Sequence, residues 1–322
     1  MEQPFIYKYK PKNIGDFNLE NKVSSLVNTL IESNLLNILL VGNSGSGKST
    51  LIECIVKTYY GENYDKSNIL IINSLKDQGI SYYRTEVKTF CQTICTIPHK
   101  KKIVILDDID LINEHSQQVF RNCIDKNKNN IHFISSCSNT QKVIDSFQSR
   151  VIMIKINPLS KSCLLKLIEK ISDSENIIID EKAKKYMIDI CNLSVRNIVN
   201  YLEKFKLIDK DINYDIALDV CTNISLKKFD DYIKYCKNNK LSKAIEILYN
   251  IFDQGYSVID ILDNLYLYIK INEKISENEK YQIIKLISKY IIIFYNFHED
   301  EIELSFLTND LISFLINNIS IS

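Results

Sequence analysis

The sequence predicts an α/β fold over its first half, built on a parallel five-stranded sheet, with helices alone thereafter. Three observations predict it. Five short apolar runs alternate with helix-period segments, a cluster of glycines parts the first run from a helix, and the strand pattern stops after Pro158.

The runs are Ile38–Val41, Ile69–Ile72, Ile103–Leu106, Ile131–Ser135 and Ile152–Ile156. Short, predominantly apolar runs alternating with helical segments suit parallel strands covered on both faces. The first leads into Val41-Gly42-Asn43-Ser44-Gly45-Ser46-Gly47-Lys48-Ser49-Thr50, which holds three of the chain's seven glycines. Its spacing is that of the P-loop, G-x-x-x-x-G-K-[S/T], set between a strand and a helix-forming stretch, Leu51–Lys57. Glycine lets backbone N–H groups close on phosphate oxygens at the positive end of a helix. The pattern points to a nucleoside triphosphate, with the loop from Gly42 to Thr50 as its cradle. Lys48 would reach the outer phosphates, Ser49 would place its hydroxyl on Mg²⁺, and Thr50 would begin the helix proper.

The third run ends in Asp107-Asp108-Ile109-Asp110. A buried parallel strand would deliver these carboxylates at its C-terminal edge, where open α/β sheets bind ligands. Asp107 is then the Mg²⁺ partner, through water, and Asp108 the group that orients or deprotonates an attacking water. A strand end followed by an acidic helix cap is the plainer alternative, and the P-loop upstream weighs against it.

Beyond Pro158, Leu164, Leu165, Ile168 and Ile171 share one helical face, with Lys166, Glu169 and Lys170 opposite. Tyr186, Ile190, Ile198, Leu202 and Phe205 continue a small bundle to near Thr222, and a further helical block runs from Leu226 to the end. The most apolar late stretch, Tyr281 to Phe297, is broken by Lys285 and Lys289, which marks a packed amphipathic helix and not a membrane span.

Bulk composition excludes some classes. Lys+Arg and Asp+Glu number 40 each, so any nucleic-acid contact must come from a local strip and not from net charge. The nine cysteines are scattered without a C-x-x-C, which suits buried thiols in a reducing compartment. Cys91, Cys95 and His99 are spaced four apart, but Pro98 would break the helix and a fourth ligand is missing, which speaks against a metal site. The N-terminus has no apolar core and is not a secretory signal. The run Lys100-Lys101-Lys102 is expected as a solubilising flank to the strand after it.

Taken in order, these signals resemble the small subunits of replication factor C, the sliding-clamp loader of the AAA+ class. Tyr7-Lys8-Tyr9-Lys10-Pro11-Lys12 is similar to that family's Lys-Tyr-Arg-Pro segment, and Ile72–Ile80 to its Leu-Asn-Ala-Ser-Asp-Asp-Arg-Gly-Ile stretch. Ser149-Arg150-Val151 stands where the family has Ser-Arg-Cys, Ser194-Val195-Arg196-Asn197 resembles Asp-Met-Arg-Arg, and Gly255-Tyr256-Ser257 with Asp260-Ile261 resembles the start of a helical collar. The resemblance spans nearly the whole chain. It implies an α/β AAA+ P-loop domain (1–158) with the parallel five-stranded sheet, followed by an all-α lid domain (159–224) and an all-α collar or oligomerisation domain (225–322).

It also implies roles. Arg150 would be an arginine finger reaching a neighbouring subunit's ATP, and Arg196 a lid residue touching phosphate in its own subunit. Tyr9, Lys10 and Pro11 would line the adenine pocket. Ser138 aligns with the family's sensor asparagine and Asn139 follows it, so either would serve. The implied cofactors are ATP and Mg²⁺. The implied partners are other loader subunits in a hetero-oligomer, a pentamer in the family, together with the sliding clamp and primer-template DNA at intracellular sites of replication, with no membrane. Arg84 and Lys88, at helical spacing four, and Arg121 are the candidates for DNA phosphate contact without base readout. The segment 85–98, with Val87, Phe90, Ile94 and Ile97, is either clamp-facing surface or core.

Three departures bear on activity. Asp108 replaces the family's usual glutamate, Asn197 replaces a second lid arginine, and Asn18-Leu19-Glu20 lacks the usual Gly-Gln. The shorter carboxylate implies slow hydrolysis with nucleotide binding intact. A non-catalytic subunit of the same assembly, a branch-migration helicase and a small-molecule kinase are the rival readings. The helicase would need a winged-helix ending, and the kinase would have no need of Arg150.

Overall fold

The computed structural model describes residues 3–17, 20–73, 82–191, 193–208, 210–221, 224, 226–272, 275–296 and 300–319. Of the stretches that carry the family resemblance, Ser74–Ile80 and Asn18-Leu19 lie outside the described residues. By compactness the chain divides into two units, residues 1–174 with 193–203, and residues 175–192 with 204–322. The segment 159–224, expected as a domain of its own, is shared between them.

The first unit holds a five-stranded parallel sheet: β1 (Ile38–Val41), β2 (Ile69–Asn73), β3 (Lys102–Asp107), β4 (Ile131–Cys137) and β5 (Ile152–Lys155), in the spatial order β2-β3-β4-β1-β5. All five expected strands are present and all pair in parallel. Side chains alternate between the two faces. Ile38, Leu40, Ile103, Ile105, Ile134 and Ile154 enter one core with Val27, Leu30, Leu51, Ile52 and Ile55 from helices α2 (Asn21–Glu32) and α3 (Lys48–Tyr60), α1 being the short Phe5–Lys8. Leu39, Val104, Leu106 and Phe133 enter the other, with Tyr83, Val87, Cys91, Phe120, Ile124 and Phe147. The central strands β1, β3 and β4 are thus covered on both faces, whereas the edge strands leave Ile71, Ile152 and Met153 exposed.

The order of strands positions the site. β4 lies between β1 and β3, with Val41 opposite Cys137 and Leu106 opposite Ser135. The C-terminal ends of three neighbouring strands therefore open onto one crevice.

Several local expectations need correction. Helix α3 begins at Lys48 and not at Thr50, so Lys48 and Ser49 lie in its first turn. Lys102 is no solubilising flank. It is 8% exposed, its Nζ donates to Thr93 Oγ1 at 2.6 Å and lies 4.5 Å from the centre of the Phe90 ring. Lys100 covers the Tyr59 ring at 4.4 Å, and Lys101 Nζ donates to the Lys128 carbonyl at 3.0 Å. These aliphatic stems extend the core while their ammonium groups find partners. Residues Tyr83–Val87 form a π-helical turn that runs into α4 (Lys88–Gln92). Arg84 and Lys88 are both exposed, on a turn wider than the α-helix expected. Val87 belongs to the second core with Phe90 packed against it, and Ile97 packs against the first, so of the four side chains Val87, Phe90, Ile94 and Ile97 only Ile94 faces solvent.

Helix α5 (Glu114–Lys126) is capped by Asn113, whose side chain accepts from Ser116 N at 2.9 Å. Its Gln117 is fully buried and satisfied. Nε2 donates to the carbonyls of Ile112 (2.8 Å) and Lys142 (2.9 Å), and Oε1 accepts from Ile144 N at 2.9 Å. This amide ties the loop after β3 to the loop after β4. Helix α6 (Asp145–Gln148) then precedes β5.

Helices α7 (Lys161–Glu175), α8 (Glu181–Ile190), α9 (Val195–Ile208) and α10 (Tyr214–Val220) follow. The second unit closes with α11 (Leu226–Lys237), α12 (Leu241–Phe252), α13 (Val258–Ile271), α14 (Glu277–Asn296) and α15 (Ile302–Ile319). Its buried Tyr232 meets Thr308 at 3.1 Å, and Ser257 and Asp260 form a capping box at the start of α13. As expected, α14 buries Ile283, Ile287 and Tyr290 on one side, and among the described residues no helix is long and apolar enough to cross a membrane. All nine cysteines are free thiols, and no group of three or more metal-ligating side chains occurs among the described residues.

One buried titratable group makes stability depend on pH. His132 in β4 is 2% exposed, with Nε2 2.9 Å from Asn34 Oδ1, and burial, aided by Lys101, pushes its pKa down to about 3 from 6.5. The unfolded chain takes up a proton below pH 6.5 that the folded chain refuses until about pH 3, so stability is full above that window and falls through it. The unfolding free energy from urea titrations should fall by up to about 1.4 kcal/mol per pH unit across this range from this group. His132→Gln should show a shallower slope than the parent chain.

Candidate nucleotide-binding site

The loop after β1 is shaped by what glycine omits. Gly45 has a φ of +74°, and a Cβ there would collide with Ser194 Oγ. A Cβ on Gly42 would lie 2.8 Å from the Ile156 carbonyl oxygen. The loop is thus pressed between β5's end and the N-terminus of α9, with no room for side chains at these positions.

Lys48 is 6% exposed, and its Nζ donates to the carbonyls of Gly42 (2.8 Å) and Asn43 (3.1 Å) and to Ser138 Oγ (3.3 Å). The ammonium is folded over its own loop, held where an anion entering the loop would meet it. Ser49 Oγ donates to Asp107 Oδ1 at 3.0 Å, and Ser136 Oγ donates to the same oxygen at 2.6 Å. Hydroxyl and carboxylate converge from α3 and β3 as a hard-cation site needs. Ser46 Oγ is buried and has no hydrogen-bond partner among the described residues, an orphan polar atom inside the cradle. The donor set of Lys48, Ser46, Ser49 and Asp107 fits a triphosphate with Mg²⁺.

Asp108 follows with a left-handed backbone, φ 51° and ψ 56°, fixed by its N–H donating to Ser136 Oγ at 2.9 Å. Such a conformation is uncommon outside glycine, though aspartate tolerates it. Burial, with the neighbouring Asp107 and Asp110 carboxylates, raises the Asp108 pKa against the opposing pull of Lys48 and Arg196. Asp110 Oδ2 accepts from the N–H groups of both Ser138 (3.1 Å) and Asn139 (3.0 Å), tying the loop after β4 to the end of β3. Of the two sensor candidates, Ser138 meets Lys48, whereas Asn139 Oδ1 caps the next turn by accepting from Gln141 N at 2.9 Å.

A cleft of about 610 Å³ adjoins the loop, lined by Tyr9, Lys10, Pro11, Gly47, Thr50 and Arg196 among others. Lys10 Nζ donates to both carboxylate oxygens of Glu53 at 2.7 Å, and Cys54 Sγ donates to the Pro11 carbonyl at 3.4 Å. The N-terminal segment is thereby clasped to helix α3. Arg196 lies beside the loop, with its Cβ 3.6 Å from where a Gly45 Cβ would stand. The structure thus brings together Tyr9 to Pro11, the whole P-loop, Asp107, Asp108, Ser138 and Arg196. Arg150, Arg84, Lys88 and Arg121 stand outside this constellation. Arg150 forms an ion pair with Asp125, Nε to Oδ1 at 2.8 Å, and Arg121 Nε faces the same carboxylate at 3.7 Å.

Comparison with known proteins places the chain. A family model of the AAA domain matches residues 36–165, and one of the replication factor C C-terminal domain matches residues 225–290. The replication factor C small subunit of Methanococcus vannielii is 28% identical over 291 residues, covering 90% of this chain and 92% of that protein. The chain is similar to the replication factor C small subunits along nine-tenths of its length. The putative replication factor C small subunit of Acanthamoeba polyphaga mimivirus is 27% identical over 287 residues, covering 89% of each. The probable replication factor C subunit 2 of Dictyostelium discoideum is 27% identical, covering 88% of this chain and 84% of that one. Among solved structures, the Holliday junction branch-migration motor RuvB of Thermotoga maritima superposes with a TM-score of 0.51 at 13% identity, over 74% of this chain and 85% of that one. That likeness concerns the fold alone. The fold is accordingly an AAA+ P-loop domain with further helices C-terminal to it.

Four contributors to the site escape a reading of replication factor C motifs in the sequence. Asp110 lies three residues beyond Asp107 in the acidic run, and that spacing is its signal. Ser136, Glu53 and Ser194 have none, because each acts through a contact between distant segments. The Lys10–Glu53 pair is only partly exposed, at 29% and 48%. Lys10→Glu should weaken nucleotide binding about two- to fivefold, and adding Glu53→Lys should restore it, as read by titration with a fluorescent ATP analogue.

Proposed function

We propose that the chain is a small subunit of a DNA sliding-clamp loader that binds ATP at the Gly42–Thr50 loop and hydrolyses it slowly. One observation carries this reading: the similarity to replication factor C small subunits spans nine-tenths of a chain whose phosphate site is intact in geometry. Lys48 would bind the outer phosphates, exchanging its contacts with the Gly42 and Asn43 carbonyls for anionic oxygens. Ser49 and Asp107 would hold Mg²⁺, which neutralises charge on the phosphates. Asp108 would orient the attacking water, and Ser138 would report on the phosphate side. Arg150 would act in the adjoining subunit's site, so that nucleotide state governs how subunits stack. Partners would be other loader subunits, the clamp and primer-template DNA at intracellular replication sites, with Arg84, Lys88 and Arg121 as the DNA-phosphate candidates. The lid and collar divisions, 159–224 and 225–322, belong to the same proposal. The RuvB-like fold suits a branch-migration motor as well, but the described residues from 226 onward form helices and no strand, and residues 225–290 match the replication factor C model.

The reading is tested by reconstitution. The chain should co-purify in a pentamer with a larger subunit, and the ATPase of that complex should rise with clamp and primed DNA. Arg150→Ala should leave the isolated chain's nucleotide binding intact and lower the assembly's turnover by about a thousandfold at the affected junction. A monomer indifferent to DNA would overturn the reading.

Asp108 gives a separate test. Because its pKa is raised, the carboxyl stays neutral to a higher pH than usual, and only the ionised form can accept a proton. Turnover should therefore rise with pH through a midpoint above the ordinary carboxylate range. Asp108→Asn should lower turnover about a hundredfold and abolish that limb with ATP affinity unchanged, while Asp108→Glu should speed hydrolysis. Turnover of the assembly unaltered by Asp108→Asn would instead mark a non-catalytic subunit.

A further inference from the structure

Arg150 leaves the turn before β5 with most of its guanidinium already engaged. The group carries five N–H donors in a rigid plane, one on Nε and two on each terminal nitrogen. Nε donates to Asp125 Oδ1 at 2.8 Å, and Nη1 donates to the Ser146 carbonyl at 2.6 Å and to Ser149 Oγ at 3.1 Å. Three donors are thus held by the subunit itself. Among the described residues no hydrogen bond or ion pair engages Nη2.

The carboxylate that grips Nε is itself held. Asp125 sits in the last turn of α5, and its Oδ2 faces Arg121 Nε at 3.7 Å. That Nε is buried and has no other partner among the described residues, so it depends on Asp125. Asp125 is also kept ionised, its pKa lowered chiefly by the Arg150 hydrogen bond. The same helix carries Gln117, locked to the loops after β3 and β4 by the bonds given above. The guanidinium therefore rests on a rigid element, and not on the exposed turn alone.

We propose that Asp125 is the positioning residue for Arg150, fixing the guanidinium by its Nε edge so that Nη2 projects as a preorganised donor to the triphosphate of an adjoining subunit. The inference rests on the reading that Arg150 acts in a neighbouring site. A long arginine side chain that must be ordered at each encounter loses rotamer freedom then, whereas one already clamped does not. The carboxylate also offsets part of the positive charge. It grips the Nε edge, however, and leaves Nη2 open, so it has no need to let go when phosphate arrives. Donors fixed in advance are those that stabilise developing charge most.

The test uses the reconstituted assembly with this subunit altered alone, and reads kcat, KM for ATP and nucleotide affinity of the altered subunit. Asp125→Ala should lower kcat about ten- to a hundredfold with KM and own-site affinity unchanged. Asp125→Asn keeps an acceptor for Nε and should restore most of that loss. A merely structural Asp125 would lower thermal stability or assembly yield and leave the kcat of correctly assembled complexes alone. Should Asp125→Ala fail to fold, Asp125→Asn carries the test, with an expected loss of about threefold in kcat. Arg150→Ala is the control. If it leaves turnover intact, the reading of Arg150 falls. If it collapses turnover while the Asp125 variants match or exceed the parent, Asp125 is a bystander or a competitor and this inference alone is overturned.

Discussion

The site depends on one adjacency: β4 lies between β1 and β3. The P-loop strand and the acidic strand are thereby one strand apart, and β4 bridges the gap. Ser49 from the helix after β1 and Asp107 from the end of β3 meet at 3.0 Å, and Ser136 from the intervening strand donates to the same carboxylate oxygen at 2.6 Å. Parallel pairing makes this possible, because all three strands then end on the same edge. The flat apolar composition of the strands is the other half of the same constraint. A parallel sheet needs both faces covered, and the central strands β1, β3 and β4 send alternate residues into two cores on opposite sides.

Much of this was legible because it is local. The strand runs are short and mostly apolar, the P-loop carries its own spacing, and the acidic run follows its strand directly. What escaped is set by distant segments. Lys102 looks like a polar flank until Thr93 and the Phe90 ring are placed beside it. The start of α3 at Lys48 is missed because Gly47, at φ +92°, hides a helix start that propensity alone puts later. The π-helical turn at Tyr83–Val87 has no sequence signature here. Arg150 is found only by resemblance, and its partner Asp125, 25 residues upstream, by nothing in the chain.

The electrostatics of the crevice show why its carboxylates differ. Asp107 accepts two hydroxyl bonds, and Asp110 accepts two backbone N–H bonds. Asp108 uses its backbone N–H to reach Ser136, while burial and its two acidic neighbours raise its pKa. One run of four residues thus places three carboxylates in different surroundings, two engaged by hydrogen-bond donors and the third, Asp108, with a raised pKa.

Two anchors on helix α5, an amide and a carboxylate, connect that crevice to Arg150. Gln117 holds the loops after β3 and β4 together, and Asp125, two turns later, holds Arg150. A helix is stiff over two turns, so a shift of the loops that carry Asp108 and Ser138 would move the guanidinium as part of the same body. The polar side chains of α5 thus do more than solubilise it. Gln117 is buried with both ends bonded, and breaking either end would leave an unsatisfied group in a dry core, at a cost of about 1–3 kcal/mol. That cost is what makes the linkage firm, and it follows from the same close packing that covers the central strands on both faces.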